Sequence, residues 1–108
     1  MLDTSFKDYV VEDLFATLHD ITAKAMFGGY GIYRKGLIFA IIAESELYFK
    51  VSSRTKKRYE ELGSRPFVYL GKGDKSYQMA YWLIDERIQE DRELLYDLAE
   101  EAYEVSQE

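Results

Sequence analysis

Residues 30–51 read YGIYRKGLIFAIIAESELYFKV, and this stretch decides the fold. Leu37–Ala43 is apolar at every position, which suits a strand central in its sheet or covered on both faces. Before it stand Arg34, Lys35 and Gly36, a hairpin-turn composition, and after it Glu44, Ser45 and Glu46 turn the chain into Leu47–Val51. Tyr30–Tyr33 precedes the first turn, and the alternating segment Thr22–Phe27 precedes a double glycine. The spacing predicts a meander of four strands. Strands joined by such short turns are antiparallel, because parallel neighbours need a crossover of about a dozen residues or more.

Outward from the meander the period changes. Phe6, Val10, Leu14 and Leu18 recur every fourth position, with Val11 and Phe15 beside them, so one apolar helix face is predicted from Ser5. Asp3, Thr4 or Ser5 can cap it, and Ser5 with Asp8 has capping-box spacing. Downstream, Ser53 or Thr55 opens a short helix that turns Tyr59 and Leu62 inward, Gly63 stops it, and Pro66 prevents its continuation. Phe67–Leu70 and Ser76–Ile84 read as strands around a Gly71–Lys75 turn, and from about Glu90 the positions Leu94, Leu95, Leu98, Ala102 and Val105 mark a last amphipathic helix. The predicted order is α-β-β-β-β-α-β-β-α. This is an α+β fold, helices packed on a curved antiparallel sheet, in one domain over residues 1–108.

Composition limits the chemistry. The chain has no Cys, which removes disulfides, thiolate metal sites and Cys nucleophiles together. Met1–Asp8 lacks the basic-then-apolar layout of an export signal, and Leu37–Ala43 is too short to span a bilayer. A soluble cytoplasmic protein with no membrane partner is expected. Ten Tyr, six Phe and one Trp exclude general disorder, since disordered chains lack residues that bury area.

The net charge of −6 is unevenly spread: residues 1–52 carry −2, residues 53–75 carry +4, and residues 76–108 carry −8. An acidic whole disfavours broad attachment to nucleic acid, and the middle segment is the local exception. Arg54, Lys56, Lys57 and Arg58 crowd the first turn of the short helix, where the macrodipole favours acids. With Arg65 they form a candidate anion or partner surface, phosphate being one such anion; the structural alternative is that Glu60, Glu61 or the acidic last helix offsets them. A second candidate is aromatic. Tyr77 and Tyr81 share one strand face with Met79 and Leu83, while Trp82 shares the other with Ala80 and Ile84. Either helices cover both faces, or one aromatic face is a ligand or subunit surface.

Other motifs resolve into structure. Gly28, Gly29 and Gly31 follow a strand but lead into another strand, not a helix, so they mark a bulge or tight turn instead of a dinucleotide site. Gly71–Ser76 echoes a phosphate loop with the wrong spacing and reads as a hairpin tip. Lys35, Gly36 and Phe39 lack the alternating exposed aromatics of an RNA-stacking strand. Glu44 and Glu46 read as turn residues and His19 as a helix-end charge. No catalytic, metal-ligating or cofactor-binding set emerges.

The run Lys24–Tyr33 (KAMFGGYGIY), then Gly36, Phe39-Ala40, Leu47–Val51, Pro66-Phe67 with Tyr69, Tyr81-Trp82 and a closing helix from Leu95 to Ala102, resembles the N-terminal domain of the TfoX competence regulators, in the same order and over about residues 6–103. The resemblance implies a bacterial cytoplasmic α+β protein connected with regulating competence or DNA-uptake genes, and it supplies no catalytic residues. The full regulator has a second, C-terminal domain with no counterpart in these residues, and the proline that often follows the Tyr-Trp pair is replaced here by Ile84-Asp85-Glu86. The expected function is therefore a non-catalytic interaction module in transcriptional regulation, contacting a protein partner or a second copy of itself. The alternatives are direct nucleic-acid binding through residues 54–65 and a small-ligand role for the aromatic face.

Overall fold

The computed structural model describes residues 4–26, 28–70, 73 and 76–108, leaving aside the side chains of residues 70 and 76–78. Strands β1 (Ile21–Met26), β2 (Gly29–Arg34), β3 (Leu37–Ala43) and β4 (Glu46–Lys50) form the meander, and β5 (Pro66–Leu70) and β6 (Ser76–Ile84) complete one sheet in the order β1-β2-β3-β4-β6-β5. Every neighbouring pair is antiparallel. The fold is α+β, as the turn chemistry requires. Lys35 (φ 52°) with Gly36 (φ 82°), and Glu44 (φ 53°) with Ser45 (φ 61°), are two-residue left-handed turns that match the twist of the strands they join. The segment expected to turn over Gly71–Lys75 lies, except for Gly73, outside the described residues.

The helices differ from expectation in two places. The first helix is regular only over α1 (Ser5–Tyr9); Val10–Leu14 is a π-helical turn, marked by the Phe15 N–H donating to the Val10 carbonyl at 3.0 Å. Leu14 and Phe15, at the end of this turn, are both buried in the core. After α2 (Lys56–Glu61), an additional short helix α3 (Glu86–Glu90) precedes α4 (Arg92–Ser106), which lies where the last amphipathic helix is expected. Asp85 accepts the Ile88 N–H at 3.0 Å and Asp91 the Leu94 N–H at 3.2 Å, so each helix has its own cap. Gln89 fixes the short helix by donating its side-chain amide to the Ile84 carbonyl at 2.9 Å. Thr55 precedes α2, but its hydroxyl accepts the Ser52 N–H and leaves the helix without a side-chain cap.

The core lies between the helices and one sheet face. Ile32, Ala40, Phe49 and Trp82 are register partners across β2, β3, β4 and β6, and Leu95, Leu98, Ala99 and Ala102 of α4 pack on them. Ile32 pairs with Ala40 but Tyr33 with Ile38, so Phe39 is an extra residue, a β-bulge. The bulge turns Phe39 into the core, where Phe15, Phe39 and Phe49 form a triangle with centroids 5.6 to 6.0 Å apart. Gly29 is required by proximity: a Cβ there would lie 2.0 Å from the Ile42 carbonyl oxygen. Among the described residues no helix is long and apolar enough to cross a membrane.

Candidate interaction surface

Strand alternation sends every second side chain to the sheet face away from the helices. Val10, Leu14, Phe15, Tyr59, Ile88, Leu95 and Leu98 all join the helix-side core, and Ile41 and Tyr48 do not. Yet Ile41 is only 9% exposed and Tyr48 only 3%. Their cover comes from the sheet itself: the Phe67 ring of β5 lies 5.0 Å from the Tyr48 ring, and Tyr48 pairs with Ile41 on one side and Leu83 on the other. At the β1 end, Gly31 leaves room for Met26, Ile38 and Tyr33 to close over its backbone, where a Cβ would meet them at 2.8, 3.0 and 3.1 Å. The result is an apolar, tyrosine-rich sheet face on which, among the described residues, no helix packs.

Its polar groups sit around that apolar centre. The Lys24 ammonium lies 5.5 Å from the Tyr33 ring centroid. The Tyr48 hydroxyl donates to Glu46 at 3.2 Å, and Arg65 reaches both Glu46 oxygens at 3.3 Å. Burial, and then the Glu46 carboxylate, push the Tyr48 phenol above its ordinary value. Burial and the neighbouring Tyr33 do the same to Tyr81. Tyr69, at 51% exposure on β5, and Met79, at 40% on β6, extend the exposed apolar surface along the β5–β6 hairpin.

The aromatic residues singled out in the sequence fall on opposite sides. Tyr81 shares the helix-free face with Leu83, whereas Trp82 is 6% exposed in the core, 6.4 Å from the Tyr59 ring. Tyr77 pairs through its backbone with Tyr69, and its side chain lies outside the described residues.

The basic residues do not form one patch. Arg58 holds Asp97 at 2.7 Å and Glu101 at 3.4 Å on α4, and Arg54 pairs with Glu108 at the end of the same helix. Arg65 belongs instead to the sheet face through Glu46. Lys56 and Lys57 are exposed on the first turn of α2. The Asp97 contact is the main cause that raises the Arg58 pKa.

A further set was not legible from motifs. Arg34, on β2, pairs with Glu100 at 2.7 Å and lies over the Tyr103 ring, pinning α4 from the side opposite to Arg58. The Tyr59 hydroxyl and one Glu101 oxygen are buried without a hydrogen-bond partner. A cleft of about 150 Å³ lies between Phe6, Lys7, Gly28, Tyr30, Glu44 and Ser45. Among the described residues no cluster of three His, Asp or Glu is placed to hold a metal ion. The sequence signals that point to the helix-free face are the alternation Tyr81, Leu83 along β6 and the alternation Glu46, Tyr48, Lys50 along β4.

Comparison with known proteins adds two findings. The family model for the TfoX N-terminal domain matches residues 13–106. A curated relative, the DNA transformation protein TfoX1 of Aliivibrio fischeri, is 31% identical over 49 residues, covering 45% of this chain and 23% of the relative. The matched part is thus under a quarter of that relative's length.

Proposed function

Because this chain belongs to the TfoX N-terminal domain family, we propose that it is a non-catalytic regulatory module that works through protein–protein contacts in the control of competence genes. The observation that supports this reading is the helix-free sheet face, where the exposed Tyr69 and Met79 and the half-buried Tyr81 and Leu83 present apolar and aromatic area over the buried Ile41 and Tyr48. Contiguous apolar surface rimmed by polar groups is characteristic of interaction sites. The name of the relative, a DNA transformation protein, supports placing that contact in DNA transformation.

Direct nucleic-acid binding through residues 54–65 is the second reading, favoured by the exposed Lys56 and Lys57. It is weakened by the ion pairs that occupy Arg54, Arg58 and Arg65, because a cation already paired releases fewer counterions from DNA. Complementation separates the two. In a deletion strain, transformation frequency should be restored by the wild-type chain and by Lys56→Ala/Lys57→Ala, and not by Tyr81→Arg. The reverse pattern would favour nucleic acid.

A further inference from the structure

On the helix side of the sheet, residues of α1, β2 and the β3–β4 turn enclose a cleft of about 150 Å³. Ile42 is its buried lining, Phe6 and Tyr30 are half-buried beside it, and Lys7 and the exposed Glu44 bring charge to it. Two opposite charges thus line one small cleft, yet no ion pair joins them. The Lys7 ammonium is held instead by Asp8 at 2.6 Å and lies 5.7 Å from the Tyr30 ring centroid. An ammonium has three donors, so one is left after Asp8 and the ring have taken theirs. The Glu44 carboxylate has no ion-pair partner among the described residues. A cation and an anion set across an apolar cleft match a molecule that carries both charges at one end and an apolar body at the other. We propose that the cleft binds a free apolar α-amino acid of valine or leucine size, with its carboxylate on Lys7, its ammonium on Glu44 and its side chain among Phe6, Tyr30 and Ile42.

Size and charge select this class of ligand. A cavity of about 150 Å³ holds a molecule as large as benzene, so it takes a branched aliphatic side chain and is too small for a nucleotide. A peptide terminus brings only one of the two charges and leaves the other side chain unmatched. An inorganic anion would be drawn by Lys7 and repelled by Glu44. Backbone geometry points to the same residues. Glu44 and Ser45 sit in left-handed backbone, at φ 53° and 61°, where Asn-Gly would be less strained. Strain of this kind collects at ligand sites, and this turn is what brings Glu44 to the cleft. At the inner end, Gly29 has no room for a Cβ against the Ile42 carbonyl, so that wall is closely packed backbone and holds its shape. Phe6 and Tyr30 also pack on the helix-side core, so the site is built from elements that the fold already fixes. It uses no residue of the helix-free face and stands independently of the protein-contact reading.

An NMR titration of the whole chain with L-leucine and L-valine, carried to about 50 mM, tests the site, since a ligand of about nine heavy atoms binds in the roughly millimolar range. The Gly29 and Ser45 amides and the Ile42 methyls should shift. Lys7→Met and Glu44→Gln should each weaken leucine binding at least about tenfold, the usual effect of losing one charged hydrogen bond. Isocaproate, which lacks the ammonium, and isoamylamine, which lacks the carboxylate, should each bind at least about tenfold more weakly than leucine. The analogues also separate the two roles. Lys7→Met should lower the affinity for the acid and not for the amine, and Glu44→Gln the affinity for the amine and not for the acid. Circular dichroism checks that both variants are folded. No amino-acid-dependent shift at Gly29, Ser45 and Ile42, an analogue that matches leucine, or variants that bind leucine as the wild type does would overturn the proposal. None of these outcomes bears on the protein-contact reading, which complementation tests.

Discussion

The guanidinium of Arg34 on β2 lies 4.9 Å from the ring centroid of Tyr103 on α4. The same side chain donates to Glu100 at 2.7 Å and is only 15% exposed. A largely desolvated cation over a ring contributes about 1–2 kcal/mol, more than a surface ion pair alone. Arg34→Met should therefore lower the unfolding free energy in urea by about 1–2 kcal/mol, and Arg34→Lys should not recover it, since an ammonium cannot stack and donate at once. Full recovery by lysine would reduce the contact to simple charge.

Asp85 makes stability depend on acid. Burial works against its carboxylate, but the Ile88 N–H and the Arg87 guanidinium outweigh that and hold its pKa below the ordinary range. A depressed folded pKa gives stabilisation that is present above the unfolded value of about 3.9 and lost as pH falls through the folded one. Asp85→Ala should cost about 1 kcal/mol at neutral pH, and the difference from wild type should vanish in strong acid. A gap that persists there would assign the cost to packing.

Glu44 and Ser45 both adopt left-handed backbone without being glycine. L-residues pay about 1 kcal/mol or more for that conformation, and Asn-Gly is the sequence that such two-residue hairpins favour. Glu44→Asn with Ser45→Gly should raise the thermal midpoint, with a gain of about 1 kcal/mol. An unchanged midpoint would mean that Glu44 or Ser45 makes a compensating contact.

Tyr59 is fully buried against Trp82, and its hydroxyl has no partner. Burial, then the Glu101 carboxylate, push that phenol far above its ordinary value. Removing an unsatisfied hydroxyl is neutral or favourable, so Tyr59→Phe should leave stability unchanged or raise it by up to about 1 kcal/mol. A loss greater than that would show the hydroxyl to be hydrogen-bonded in solution.

The meander could be read from residues 30–51 because turn chemistry is local: Lys35-Gly36 and Glu44-Ser45 fall where the hydrophobic runs break. The π turn at Val10–Leu14 could not, because the apolar spacing of residues 6–18 fits a regular helix equally well and the Phe39–Phe49 pair that receives Phe15 is remote in sequence. Nor could α3, whose capping Asp85 and buried Gln89 look like ordinary surface residues until the Ile84 carbonyl is placed beside them. The alternation of Tyr81 and Trp82 was visible, but not which of the two faces water. That depends on α4 crossing β3 and β4 and on the bulge at Phe39, both set by contacts remote in sequence. The pairing of Arg54 and Arg58 with α4 has the same origin: charge counts show that acids and bases coexist, and only the fold brings Asp97 and Glu108 to them.

The most direct test of the helix-free face as the contact surface is a titration of the unmodified chain with the apolar dye anilinonaphthalene sulfonate, followed by methyl-resolved NMR. Dye-dependent shifts should fall on Met26, Ile38, Ile41 and Leu83, while Leu95 and Leu98 under α4 stay fixed. Shifts confined to residues of α4, or spectra unchanged across the series, would contradict a contact surface on this face.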